Sequence, residues 1–212
     1  MKIGVLGSGT VGQVLASGFL KHGHQVMLGT RDPQKVDVQK WLKKNSGGQI
    51  GTFAEAAKFA DLAVLAVLGR VAIDVLKLAG PENLAGKTVI DTTNPIAETP
   101  PVDGVLAFTT GPNESLGEQI QAYASQIHVV KAFNSVGAAK MVDPHYEQGT
   151  PRCFFAAITP RPRHKCQGYS NSLDGSPSIA EASSPPARLS RSACSGASPV
   201  FSGICGPTRS RY

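Results

Sequence analysis

The chain has 212 residues, a mean hydropathy of −0.07 and a formal net charge of +6 at pH 7, with 41% hydrophobic and 17% charged residues. That length allows one domain with a full core, and no apolar run reaches the roughly 20 residues needed to span a bilayer, so no membrane partner is expected. Residues 1–157 carry 14 Lys+Arg against 13 Asp+Glu, whereas residues 158–212 carry 7 against 2. The excess positive charge belongs to the C-terminal segment, and no nucleic-acid face is expected on the folded part.

The chain opens on MKIGVLGSGTVG. A short apolar strand, Ile3 to Leu6, runs into the triplet Gly7, Gly9, Gly12 and then an amphipathic helix from about Val11 to His22. A second apolar strand, Gln25 to Leu28, completes the order and spacing of a βαβ unit that cradles a dinucleotide. Gly7 turns the chain off the strand, Gly9 lets backbone approach a pyrophosphate, and Gly12 lets the helix lie close on the sheet. The pyrophosphate would face the unpaired N–H groups of that helix at the positive end of its dipole.

The end of the second strand reads on the choice of dinucleotide. A cofactor without a 2′-phosphate usually meets Asp or Glu there, but this chain has Gly29, then Thr30 and Arg31, with Lys35 a helical step on. A guanidinium fork and an ammonium suit a phosphate, which points to NADP. Two alternatives stay open: Arg31 and Lys35 as solvated loop charges, and Asp32 as the ribose acceptor.

Alternation of strand and helix continues. A helix is expected over Asp37 to Lys44, with Trp41 in the core, then a strand at Gly51 to Phe53, a helix at Ala54 to Phe59 and a buried strand at Leu62 to Val67. A helix over Val71 to Leu78, a strand over Thr88 to Asp91, a helix over Ser115 to Gln126 and a sixth strand over His128 to Phe133 follow. The fold class is α/β: a Rossmann, doubly wound parallel sheet whose ligands sit at the carboxyl ends of the strands. Those ends offer Thr, Asn and Ser but no His, Glu or Lys as general acid or base, so no catalytic residue is assigned. Asn94, before Pro95, either makes a turn or stands beside a nicotinamide. A site of this kind suits hydride transfer between two stacked planar molecules that the protein only positions.

Cys153, Cys166, Cys194 and Cys205 show no ligand spacing, so no metal is expected. With no charged-then-apolar leader and no disulfide framework, a cytoplasmic setting is expected. The partners expected are a small-molecule cofactor or substrate, with a homodimer left open.

The run GVLGSGTVGQVLASGFLKHGHQVMLGTRDPQK, followed by ADLAVLAV, VIDTTNPI and VVKAFNSVG, resembles the coenzyme F420-dependent NADP oxidoreductase family, in its bacterial branch of NADPH-dependent F420 reductase-like proteins. The resemblance covers about residues 1–157 and implies a Rossmann domain that moves a hydride between NADPH and a deazaflavin, coenzyme F420. It implies pyrophosphate contacts at Ser8 to Gly12, 2′-phosphate contacts at Thr30, Arg31 and Lys35, and Val67 and Asn94 along the nicotinamide half. Gly69 and Arg70 depart from the family, which has bulky apolar residues after the fourth strand. Two other readings fit the residues: an imine or hydroxyacid reductase of the pyrroline-5-carboxylate reductase type, which normally adds a long helical second domain, and a non-catalytic NADP-binding module.

The division expected is a NAD(P)-binding domain over 1–157 and a disordered, Ser/Pro/Arg-rich tail over 158–212. The tail's large aliphatic and Phe residues are Ile158, Leu173, Ile179, Leu189, Val200, Phe201 and Ile204 alone, well under the roughly 20% of a core-forming segment. Family members continue instead with GDxPAAK, a strand introduced by GW and a helix containing ALEPL. Under suitable synonymous codons, the tail read from the third base of each codon supplies all three, so a single-base frameshift near Ala156 or Ala157 is expected.

Overall fold

A computed structural model of the chain describes residues 1–144 and 155–158. Apart from Ile158, the segment expected to be disordered lies outside the described residues, and so does Cys153. The elements are β1 (Lys2–Leu6), α1 (Thr10–Lys21), β2 (Gln25–Thr30), α2 (Val36–Lys44), β3 (Gly48–Thr52), α3 (Phe53–Phe59), β4 (Leu62–Leu65), α4 (Ala72–Ala79), β5 (Thr88–Asp91), α5 (Leu116–Tyr123), β6 (His128–Ala132) and β7 (Phe155–Ile158). Short 3-10 turns stand at Gly69–Val71, Pro81–Leu84 and Ala138–Lys140.

The sheet order is β3-β2-β1-β4-β5-β6-β7, parallel throughout except for β7, which runs antiparallel along β6. This is the doubly wound arrangement expected, and its strand order reverses between β1 and β4, where such sheets bind ligands. Period-2 alternation splits the strand side chains between two cores. Val5, Val64 and Ile90 face α1 and α2 with Leu15, Phe19 and Trp41, while Leu6, Leu65 and Val89 face α3, α4 and α5 with Ala56, Leu76 and Ile120.

Several boundaries differ from expectation: β2 runs on to Thr30, α5 stops at Tyr123 and β6 at Ala132, and two further differences bear on the site. β3 starts at Gly48 and stops at Thr52, because Thr52 caps α3: its hydroxyl accepts from Glu55 N at 3.2 Å while Glu55 Oε2 accepts from Thr52 N at 2.7 Å. That reciprocal capping box takes Phe53 out of the strand and into the first turn of the helix. β4 ends at Leu65 instead of Val67, although Ala66 N still donates to the Leu6 carbonyl at 2.9 Å and Ala66 stays in the core, leaving Val67 half-buried beyond the strand. A seventh strand is added at the edge, where Ile158, the first residue of the expected tail, pairs with Val129 and packs on the α5 side.

Trp41 is core, as expected, at 4% exposure, with its indole N–H donating to Ser17 Oγ at 2.9 Å and to the Gln13 carbonyl at 3.2 Å. It ties α2 to α1 and so fixes how the α2 face stands beside the glycine turn.

Candidate functional site

The three glycines of the turn after β1 are distinguished by what surrounds them. Gly7 has φ +134°, a region that side chains rarely enter, and a Cβ there would strike the Ala66 carbonyl and lie 2.9 Å from Val67 Cγ1. A Cβ on Gly12 would overlap the Gly7 carbonyl oxygen. Gly7 and Gly12 are therefore required by packing between backbone segments. Gly9 is different: a Cβ there meets nothing within 4 Å, and the space it would enter is open.

Gly9 is also the N-cap of α1, and no side chain caps that helix. α3 and α5, by contrast, each begin in a capping box, Thr52 with Glu55 and Ser115 with Glu118. The nearby hydroxyl that could have capped α1 is turned elsewhere, since Ser8 Oγ donates to Thr30 Oγ1 at 3.0 Å. Gln13 Nε2 donates to the Ser8 carbonyl at 2.9 Å and pins the turn from the far side. The result is a rigid loop that presents a helix N-terminus with unpaired N–H donors beside open space, the arrangement that attracts an anion.

The Thr30 hydroxyl is buried and accepts from Asp32 N at 3.3 Å as well as from Ser8, so it joins the glycine turn to the loop after β2. Asp32 is engaged locally: its Oδ1 accepts from Gln34 N at 2.9 Å. Arg31 and Lys35 are exposed. Among the described residues Arg31 makes no ion pair, and Lys35 Nζ has only Asp37 Oδ2 at 4.0 Å. A cleft of about 810 Å³ runs between α1 and α2, from Ser8, Gly9 and Thr10 past Lys35 and Lys40 to Lys44 and Asn45. Lys21 lines it too, but its charge is engaged: Nζ donates to Asp143 Oδ2 at 2.6 Å and holds that carboxyl below the usual range, with His22 Nε2 3.0 Å from the other oxygen.

Across the switch point, Val67 is half-buried against Gly7, and Asn94 is half-buried with its Nδ2 donating to the Asn134 carbonyl at 2.9 Å. Asn94 thereby links the loops after β5 and β6. The departure at Gly69 has a packing cause, because a Cβ there would strike the Asn94 carbonyl oxygen. Only glycine lets the turn after β4 lie that close on the loop after β5. Arg70 reaches Glu98 Oε1 at 3.2 Å.

Beneath this loop stands a pair that the sequence reading missed. Asp91 closes β5 and Lys131 is the register partner beside it, inside β6 and one residue before that strand's end. Asp91 is 0% exposed and Lys131 20%, with Nζ donating to Asp91 Oδ2 at 2.9 Å and to the Thr93 carbonyl. The other carboxylate oxygen accepts from Thr93 N at 2.9 Å and from its hydroxyl at 2.7 Å. A buried carboxylate is tolerable because both its oxygens are hydrogen-bonded and an ammonium stands against one of them, and the effect is to fix the Thr92–Asn94 loop. Phe133, just past the end of β6, is buried at φ +63°, an uncommon conformation for a non-glycine residue at the same end of the sheet.

After Pro95 the chain makes a hairpin, with Ala97 N donating to the Ala107 carbonyl and Thr109 N to the Pro95 carbonyl. Ile96, Leu106 and Phe108 on it are exposed, as is Leu68 on the loop after β4. Among the described residues no group of His, Cys, Asp and Glu could hold a metal ion, and no helix is long and apolar enough to cross a membrane.

Comparison with known proteins places this geometry. Residues 2–95 match the family described as NADP oxidoreductase, coenzyme F420-dependent. No curated protein matches the chain. A structure from Arthrobacter sp. FB24, assigned as an F420-dependent NADP-reductase, is 36% identical over 75% of this chain and 74% of that one, with a TM-score of 0.69. A hypothetical protein from Sinorhizobium meliloti (22% identity, 66% of this chain and 63% of that one, TM-score 0.52) shares the fold. So does an imine reductase from Aspergillus terreus, solved with NADPH4 and a dibenzazepine, at 20% identity, a TM-score of 0.52 and coverage of 68% of this chain and 44% of that one. The identity to the Arthrobacter protein over three quarters of both chains, with the matching glycine-turn domain, shows that this chain belongs to the coenzyme F420-dependent NADP oxidoreductase family.

Proposed function

We propose that the chain binds NADPH in the crevice between β1 and β4 and transfers a hydride between NADP(H) and a deazaflavin of the coenzyme F420 type. The observation that carries this reading is the contrast at the glycine turn: two glycines are demanded by protein packing, and the third, at an uncapped helix N-terminus, borders empty space. A Cβ at Gly9 would fill the volume that a pyrophosphate needs, so the residues fit the cofactor. Ser8 to Gly12 would hold the pyrophosphate through backbone N–H groups. Thr30, Arg31 and Lys35 would read the 2′-phosphate, Thr30 by fixing the loop and the two cations by charge. Val67 and Asn94 would border the nicotinamide half.

When bound, the nicotinamide and the deazaflavin supply the redox chemistry between them, one giving and the other taking the hydride. The work left to this chain is positional. The Asp91–Lys131 pair holds the Thr92–Asn94 loop, and Asn94 ties that loop to the one after β6, so the floor of the site stays rigid. Exposed Leu68, Ile96, Leu106 and Phe108 offer apolar surface on the loops after β4 and β5 for a flat ring.

The test is turnover of the full chain with NADPH and coenzyme F420, followed by loss of the oxidised deazaflavin's visible absorbance, against a parallel reaction with a cyclic imine. Reduction of F420 at least tenfold faster than of the imine is expected. Imine reduction without F420 reduction would assign the acceptor to the other class, and cofactor binding with neither turnover would leave a binding module.

A further inference from the structure

The cleft beside the glycine turn is lined by two α2 cations that the sequence reading did not name, Lys40 and, one turn further along at the end of the helix, Lys44; Lys40 is the nearer of the two in sequence to Lys35. Lys40 lines the same wall as Ser8, Gly9, Thr10 and Lys35, whereas Arg31 does not. It is exposed, and among the described residues it makes no ion pair. Asp37 lies in that wall as well, three residues before Lys40 on one face of α2. Its carboxylate stands 4.0 Å from Lys35 Nζ, with both side chains more than half exposed. An exposed pair at that distance is weak, so Lys35 is partly neutralised without being locked in place.

We propose that Lys40 is a second reader of the cofactor's 2′-phosphate and that Asp37 is a built-in competitor for it. This rests on the reading of Ser8–Gly12 and Lys35 given above. A phosphate monoester carries close to two negative charges, so entering between Lys35 and Lys40 it outcompetes the single charge of Asp37. The Asp37 carboxylate then remains nearby as a like charge and lowers affinity for the phosphorylated cofactor. Removing Lys40 and removing the Asp37 charge must therefore act in opposite directions, and on NADPH alone.

The experiment is titration of the full chain with NADPH and with NADH, read through quenching of its sole tryptophan, Trp41, in low salt and at 0.15 M salt. Lys40→Ala is expected to weaken NADPH about threefold to tenfold in low salt, and Asp37→Asn to tighten it about twofold, with NADH unchanged in both. Both effects shrink at 0.15 M salt, where the screening length is about 8 Å. Neither variant should shift the melting temperature, because both side chains are exposed. If the parent chain prefers NADPH and both variants match it, the roles of Lys40 and Asp37 are overturned while the 2′-phosphate reading stands. If Lys40→Ala weakens NADH equally, Lys40 serves the pyrophosphate and the inference is likewise overturned. A parent chain that binds NADH as tightly as NADPH overturns both.

Discussion

A Lys131→Met chain is expected to melt on the order of 10 °C below the parent. Asp91 is fully buried, and Lys131 is the positive partner of its Oδ2. Taking away one member of a buried pair leaves an uncompensated charge and costs about 3–5 kcal/mol. For a domain of this size each kcal/mol moves the melting temperature by roughly 2–4 °C. The double variant Asp91→Asn/Lys131→Met should recover at least half of the loss, because the amide is neutral and can still accept from Thr93 through its oxygen. Thermal unfolding followed by circular dichroism checks both. A single-variant drop of under about 3 °C would mean that water reaches the carboxylate, and the fixed loop under Asn94 would lose its physical basis.

Gly9→Val and Gly12→Ala are expected to fail in opposite ways. A Cβ at position 9 meets no protein atom within 4 Å, and the local backbone, φ −74° and ψ −176°, is extended and open to any residue. Its melting temperature should stay within about 3 °C of the parent while binding of NADPH and NADH falls together, by roughly a hundredfold or more, because the side chain occupies the pyrophosphate space. Gly12→Ala drives a methyl group into the Gly7 carbonyl, a backbone atom that cannot rotate away. Overpacking of that kind costs about 1–3 kcal/mol and pushes α1 off the sheet, so stability falls as well as binding. Melting curves and titrations on the same preparations separate the two. A Gly9→Val chain that keeps its cofactor affinity would remove the cradle.

The glycine turn, the strand that precedes it and the helix that follows were legible because they rest on local pattern: an apolar run, three glycines at fixed spacing, then helical periodicity. β5 was legible for the same reason. The end of β3 was misplaced although its signal was present, since Thr52 and Glu55 stand at capping-box spacing and demand that Phe53 be helical. The end of β4 was not legible, because Ala66 and Val67 are as apolar as the strand they leave. The Asp91–Lys131 pair depends on the parallel register of two strands that are 40 residues apart. No local pattern reports that register, although a lone charge inside each of two apolar strands was the hint. Lys40 was hidden in the same way: on the sequence it is one of several α2 lysines, and only the packing of Trp41 on α1 turns its face toward the glycine turn. The apolar departure at Gly69 became intelligible only when Asn94 was seen against it.

The most direct test of NADP recognition is a paired titration of the parent chain and Arg31→Ala with NADPH and with NADH, followed by nicotinamide fluorescence. Arg31 is exposed and, among the described residues, has no ion pair to lose, so its removal should leave the fold intact. The parent is expected to bind NADPH more tightly than NADH. Arg31→Ala is expected to weaken NADPH by about tenfold to a hundredfold, the loss of a charge-assisted pair worth about 1.5–3 kcal/mol, and to leave NADH within about twofold. Equal affinities in the parent, or equal losses for the two cofactors, would contradict a 2′-phosphate site at the end of β2.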